Sequence, residues 1–157
     1  MKTLICIDPG KSGGLVRRSE GQPVLAVAMP ETEGDVLELL KEWAADPANT
    51  VAVLEEVSGF AGVGQPGSGM FKFGRGFGFL LGVLQALGVR VELVRPQKWQ
   101  RGLGLGSAVN CASKVEWKNK LKACAQRLHP GLKVTLAVSD ALLILEYAIA
   151  RMSLGPP

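Results

Sequence analysis

The sequence predicts an α/β layer built on a mixed central sheet. Short apolar, β-branched runs end in turn signals, and stretches with helical apolar spacing alternate with them along most of the chain. The first three runs follow one another with no helix between, so a strand meander precedes the alternating units.

Leu4, Ile5, Cys6 and Ile7 form the first run, which Asp8 closes against Pro9-Gly10. A continuous apolar run ended by a turn reads as a buried strand, so the Asp is carried at a strand edge. Lys11, Ser12, Gly13 and Gly14 turn the chain back. Gly14 to Arg18 and Val24 to Met29 read as two more strands about a Ser19–Pro23 turn. Gly34 to Ala45 reads as an amphipathic helix, with Val36, Leu37, Leu39, Leu40 and Trp43 on one face and Asp46-Pro47 as its stop. Thr50 to Leu54 is a fourth strand ending at Glu55-Glu56. Ser58 to Gly69, Gly- and Ser-rich and nearly uncharged, reads as a mobile loop. A glycine-containing helix is expected over Phe71–Leu87, a strand over Val89–Val94 ended by Arg95-Pro96, and a flexible stretch over 101–113. Lys114–Leu128 reads as a basic amphipathic helix closed by His129-Pro130-Gly131. Ser139–Met152 reads as a final helix with Asp140 in its first turn.

With 157 residues, 47% of them hydrophobic and 20% charged, the chain is expected to form one domain, residues 1–157, and not a disordered segment. No apolar stretch approaches the roughly 18 residues of a membrane span, and the N-terminus lacks a signal-peptide design. Cys6, Cys111 and Cys124 have no metal-site spacing and read as reduced thiols of a cytoplasmic protein. A single histidine, His129, argues against a histidine-based triad or metal site.

Charge is unevenly spread. Residues 1–71 carry five basic and ten acidic groups, whereas residues 72–134 carry twelve basic groups against Glu92 and Glu116 alone. Such a block points to a polyanionic partner, most simply nucleic acid. A solvated helix face accounts for Lys114, Lys118, Lys120 and Lys122. It accounts less well for Lys72, Arg75, Arg95, Lys98 and Arg101, which are interleaved with Phe71, Phe73, Phe77 and Trp99.

Three acids occupy privileged places: Asp8 and Glu55 at strand ends, and Asp140 at the start of the last helix. Carboxylates from three separated elements, if they converge, offer the oxygen ligands that hard cations such as Mg²⁺ require, and a pair of such ions can hydrolyse a phosphodiester. The plainer readings are a turn-capping Asp8 and a helix-starting Ser139-Asp140.

The order of these motifs resembles the RuvC-like Holliday-junction resolvases of the ribonuclease-H-like superfamily, particularly the phage and organelle type. IDPGKSGGL resembles the family's first strand with its metal-binding Asp, and VLEEVSG the strand with its Glu. GSGMFKFGRGFGFLLGVLQALG resembles the loop and helix that follow, VELVRPQKW the next strand with its Pro and Trp, and SDALLILEYA the final acidic helix. The resemblance covers nearly the whole chain. It implies a ribonuclease-H-like fold with helices on both faces of the sheet, and a homodimeric endonuclease that cuts four-way DNA junctions. It implies Mg²⁺ as cofactor, with Mn²⁺ able to substitute, held by Asp8, Glu55 and Asp140, and places Lys118 near the scissile phosphate. Lys11, Phe71, Lys72, Arg75, Arg95, Lys98, Arg101, Lys114, Lys118 and Lys122 are the candidate DNA contacts. One departure stands out. The family places a further acid, or a His, three or four residues before the last Asp, where this chain has Ala137 and Leu136. A junction-binding protein with impaired or lost nuclease activity is therefore the second reading. A fragment of an actin-like ATPase is set aside, because that fold needs two such domains.

Overall fold

The computed structural model describes residues 2–56 and 67–153. Five strands form one sheet: β1 (Thr3–Asp8), β2 (Gly14–Ser19), β3 (Leu25–Ala28), β4 (Thr50–Glu55) and β5 (Arg90–Val94). Their order is β3-β2-β1-β4-β5. β2 runs antiparallel to both β1 and β3, while β1, β4 and β5 run parallel, so the sheet is mixed as expected. Five helices join them: α1 (Glu33–Trp43), α2 (Gly67–Ala86), α3 (Pro96–Gly102), α4 (Lys114–Leu128) and α5 (Leu136–Ser153).

β1 lies at the centre and is covered on both faces, which is why it is apolar without alternation. Its side chains still divide by parity. Leu4 and Cys6 join Val16, Val53, Trp99, Trp117, Leu121 and the α5 residues Ala141, Leu142, Ile144 and Leu145 in one core. Ile5 and Ile7 join Leu15, Ala52, Leu54, Leu40, Trp43, Leu80 and Leu84 in the other. Helices α1 and α2 thus cover one face, and α3, α4 and α5 the other.

Three boundaries differ from the sequence reading. Residues 96–102 are helical, where a strand terminator followed by a flexible stretch was expected. Pro96 at the first helical position and the burial of Trp99 account for this short helix. A short 3₁₀ turn at Ala108–Asn110 further orders the 101–113 stretch. Helix α2 starts at Gly67, so the expected loop keeps only residues 58–66, which lie outside the described residues. Helix α5 starts at Leu136, which moves Asp140 from the expected first turn into the second. Ser139 does not cap the helix from outside; its hydroxyl donates to the Leu136 carbonyl at 3.1 Å. No helix among the described residues is long and apolar enough to cross a membrane.

The start of α5 is set against the beginning of β2 by a contact only glycine permits. A Cβ on Gly14 would lie 2.7 Å from the Ala137 carbonyl oxygen and 2.8 Å from that of Val27. Both obstacles are backbone. Gly14→Ala is therefore expected to cost about 1–3 kcal/mol of stability by overpacking, read as a lower urea midpoint; an unchanged midpoint would contradict this packing.

Candidate active site

Strand parity brings the first two acids together. Asp8 continues the Leu4–Cys6 series of β1, and Glu55 follows Val53 on β4, so both point to the face covered by α5. The parallel register pairs Ile7 with Leu54, which sets Asp8 and Glu55 side by side at the carboxyl ends of neighbouring strands. Gly13 lets the chain double back there, since a Cβ at Gly13 would meet the Asp8 carbonyl oxygen at 2.1 Å.

The third acid comes down from α5, where Asp140 is only 4% exposed. It accepts a hydrogen bond from Lys118 Nζ of α4 at 2.5 Å, and its Oδ1 lies 3.2 Å from the Ser139 hydroxyl, whose single proton it shares with the Leu136 carbonyl. Lys118 follows the buried row Trp117, Leu121 and Ala125 by one residue, so α4 packs against α5 and delivers its ammonium at the edge of that contact.

Charge in this cluster does not balance. Burial, and then the nearby Glu55 and Asp140, push the Asp8 carboxyl up to about 8, while Lys118 pulls it down. Burial pushes Glu55 up to about 7 against a hydrogen bond from Trp99; Asp140 adds to the rise and Lys118 opposes it. Burial alone would lower the Lys118 ammonium, but Asp140, Asp8 and Glu55 outweigh it and hold it above its ordinary value. One lysine thus faces three carboxylates, and the cluster is short of positive charge.

The other acids are turned elsewhere. Glu56, next to Glu55 and of opposite parity, accepts from Arg95 Nε at 3.0 Å. Glu146 lies 3.3 Å from His129 Nε2. Neither joins the cluster.

Two solved structures are similar over nearly the full length. RuvC from Thermus thermophilus superposes with a TM-score of 0.62 at 20% identity, covering 98% of this chain and 96% of that one. T. thermophilus RuvC in complex with a Holliday junction substrate gives 0.58 at 19% identity, covering 99% and 97%. The chain has the RuvC fold. The likeness is one of architecture, an α/β ribonuclease-H-like sheet, because the sequence matches no protein-family model and no curated protein.

On this RuvC fold the basic candidates separate into groups. Lys114, Lys118 and Lys122 are spaced four apart and form one row along α4, of which Lys118 reaches Asp140. Lys98 and Arg101 are exposed on α3, Lys11 on the β1–β2 turn, and Lys72 on α2. Arg75 is paired with Glu33 at 2.9 Å, and Arg95 with Glu56, so both are already partly neutralised. Phe71 is 74% exposed and free to stack, whereas Trp99 is fully buried. The expectation that Trp99 belongs to an aromatic-basic surface is therefore corrected: its indole Nε1 donates to Glu55 Oε2 at 2.7 Å. The helix start was signalled by Pro96, which suits a first helical position and makes Trp99 the fourth.

The donor chemistry fits a divalent cation of the hard type: oxygen ligands only, and an uncompensated negative charge. Among the described residues, no group of three or more His, Cys, Asp or Glu side chains is already arranged to hold a metal ion. Lys118 is the cation that Asp140 engages.

The raised carboxyls make stability depend on pH. Folded Asp8 holds its proton to about pH 8, whereas an unperturbed Asp releases it near 3.8. Between those values the folded state binds more protons, so stability falls as pH rises. In metal-free buffer, Asp8→Asn is expected to melt several degrees above the wild type at pH 8, with the gap closing toward pH 4. A wild type at least as stable as the variant at pH 8 would contradict the charge imbalance.

Proposed function

We propose that the chain is a divalent-metal-dependent endonuclease that resolves four-way DNA junctions. The observation that carries this reading is the convergence of Asp8, Glu55, Asp140 and Lys118 at the carboxyl ends of β1 and β4 in a RuvC fold. One of the similar structures is of RuvC in complex with a Holliday junction substrate. Buried like charges are costly unless a positive partner offsets them, and a phosphodiester brings more negative charge still.

Asp8, Glu55 and Asp140 would hold Mg²⁺ or Mn²⁺. When bound, the ion supplies an activated water and stabilises the departing oxygen. Lys118 holds Asp140 in place and presents its ammonium where the phosphate approaches. Lys114 and Lys122, one turn to either side, grip neighbouring phosphates. Lys98 and Arg101 on α3 extend that track, and Lys11 and Lys72 form a second one on the other side of Asp8. Phosphate contacts position a duplex without reading its sequence, so shape is what this surface recognises. Phe71, exposed beside Lys72, is suited to stack on an unpaired base. A four-way junction is two-fold symmetric and needs two cuts, so the active species is a homodimer.

The second reading, a junction-binding protein with impaired nuclease activity, is favoured by one observation. Helix α5 already begins at Leu136, so the positions where the family carries a further acid lie one turn before Asp140 and are occupied by Leu136 and Ala137. Cleavage and gel-shift assays on the same four-way junction separate the two. The wild type is expected to cut with Mg²⁺ or Mn²⁺, and Asp8→Asn to lose cleavage by at least a hundredfold while binding at least as tightly. Binding without cleavage by the wild type in both ions would favour the second reading.

Binding is also expected to fall steeply with salt, with a log–log slope of about −0.9 per neutralised phosphate. Lys114→Ala should flatten that slope by about 1. An affinity insensitive to salt would argue against nucleic acid altogether.

A further inference from the structure

We propose that Trp99 is a positioning residue that fixes the Glu55 carboxylate for cation binding, an inference that rests on Glu55 being a metal ligand. The indole is 0% exposed. Its Nε1–H donates to Glu55 Oε2 at 2.7 Å, across 44 residues of sequence. A buried N–H without a partner is expensive, so the indole holds on to this oxygen and leaves the other for a cation.

The donor is itself held rigidly. Pro96 starts α3, and the Trp99 carbonyl accepts from the Leu103 N–H at 3.0 Å, closing the end of the helix. The same helix meets α5 so closely that a Cβ on Gly102 would lie 2.6 Å from the Tyr147 ring. Trp99 packs in the core with Val53, Val94 and Tyr147. Val53 belongs to the strand that ends in Glu55, so indole and carboxylate are fixed to one frame. A glutamate has three side-chain torsions to order, and this bond orders the carboxylate before any ion arrives. Asp140 is restrained in the same way by Lys118 and Ser139, whereas no side-chain donor to Asp8 is described. The arrangement therefore gives each of the two longer-reach or helix-borne acids its own positioning group.

The test is a Mn²⁺-binding titration, with free Mn²⁺ counted by electron paramagnetic resonance, on the wild type, Trp99→Phe, Glu55→Gln and the double variant. Phe keeps most of the ring volume and removes the N–H. Trp99→Phe is expected to raise the apparent Kd roughly tenfold and to add nothing in the Glu55→Gln background. A purely structural Trp99 would lower the melting temperature and leave Mn²⁺ affinity alone. A folded Trp99→Phe that binds Mn²⁺ as the wild type does, while Glu55→Gln binds weakly, overturns the role of Trp99 but not that of Glu55. Unchanged affinity in Glu55→Gln overturns both. Should Trp99→Phe not fold, the wild type answers by itself. Of its three indole N–H resonances, the one displaced in Glu55→Gln is expected to shift with Mg²⁺ along the metal-binding curve. No indole response to Mg²⁺ overturns the proposal.

Discussion

Two carboxylates at adjacent ends of buried parallel strands repel each other, and the α5 side of the sheet is organised around that repulsion. Asp8 and Glu55 cannot move apart, because β1 and β4 are locked in register by the core on both faces. A third carboxylate, Asp140, is brought to the same corner on the most deeply buried helix. Folding thus gathers three carboxyl groups in a poorly solvated corner, which is costly in a protein with no use for it. Burial, with Glu55 and Asp140 nearby, pushes the Asp8 carboxyl up to about 8, and burial with Asp140 pushes Glu55 up to about 7, so both resist ionising without a further positive partner.

The surrounding elements each answer that constraint in a different way. Helix α4 buries Trp117, Leu121 and Ala125 and brings Lys118, from the neighbouring row, to the acids. Only Lys118 reaches in, and it neutralises one carboxylate of three. Helix α3 contributes no charge inward. It supplies the Trp99 indole as a neutral donor, which lowers the cost of Glu55 without competing for a cation's place. Gly13 lets the chain double back on Asp8, and Gly14 lets β2 and α5 approach closely.

Much of this was legible in the sequence, and the exceptions have physical causes. β1 and β4 read correctly because strands buried on both faces are unbroken apolar runs, but placing Asp8 and Glu55 on one face needs the Ile7–Leu54 register as well as parity. Asp140 was legible as a residue but not in its setting. Ser139-Asp140 carries a helix-start signal, yet packing of Val138 and Ala141 against the core accompanies an α5 that begins at Leu136. Helix α3 is too short to show a period, and tertiary contacts stabilise it: Trp99 in the core and Gly102 beneath Tyr147. The Trp99–Glu55 bond joins elements 44 residues apart, which no local pattern encodes. The pairing of Arg75 with Glu33 and of Arg95 with Glu56 was hidden for the same reason, since the sequence shows charge but not its neighbours.

The central claim is that the corner formed by Asp8, Glu55 and Asp140 is a divalent-cation site. Anomalous diffraction from crystals soaked in millimolar Mn²⁺ tests it most directly. The account predicts a Mn²⁺ peak between the carboxylates of Asp8 and Glu55, with an Asp140 oxygen in its coordination shell and Trp99 still bonded to Glu55. A map with no peak at this corner, and with Lys118 as the sole cation beside Asp140, would contradict it.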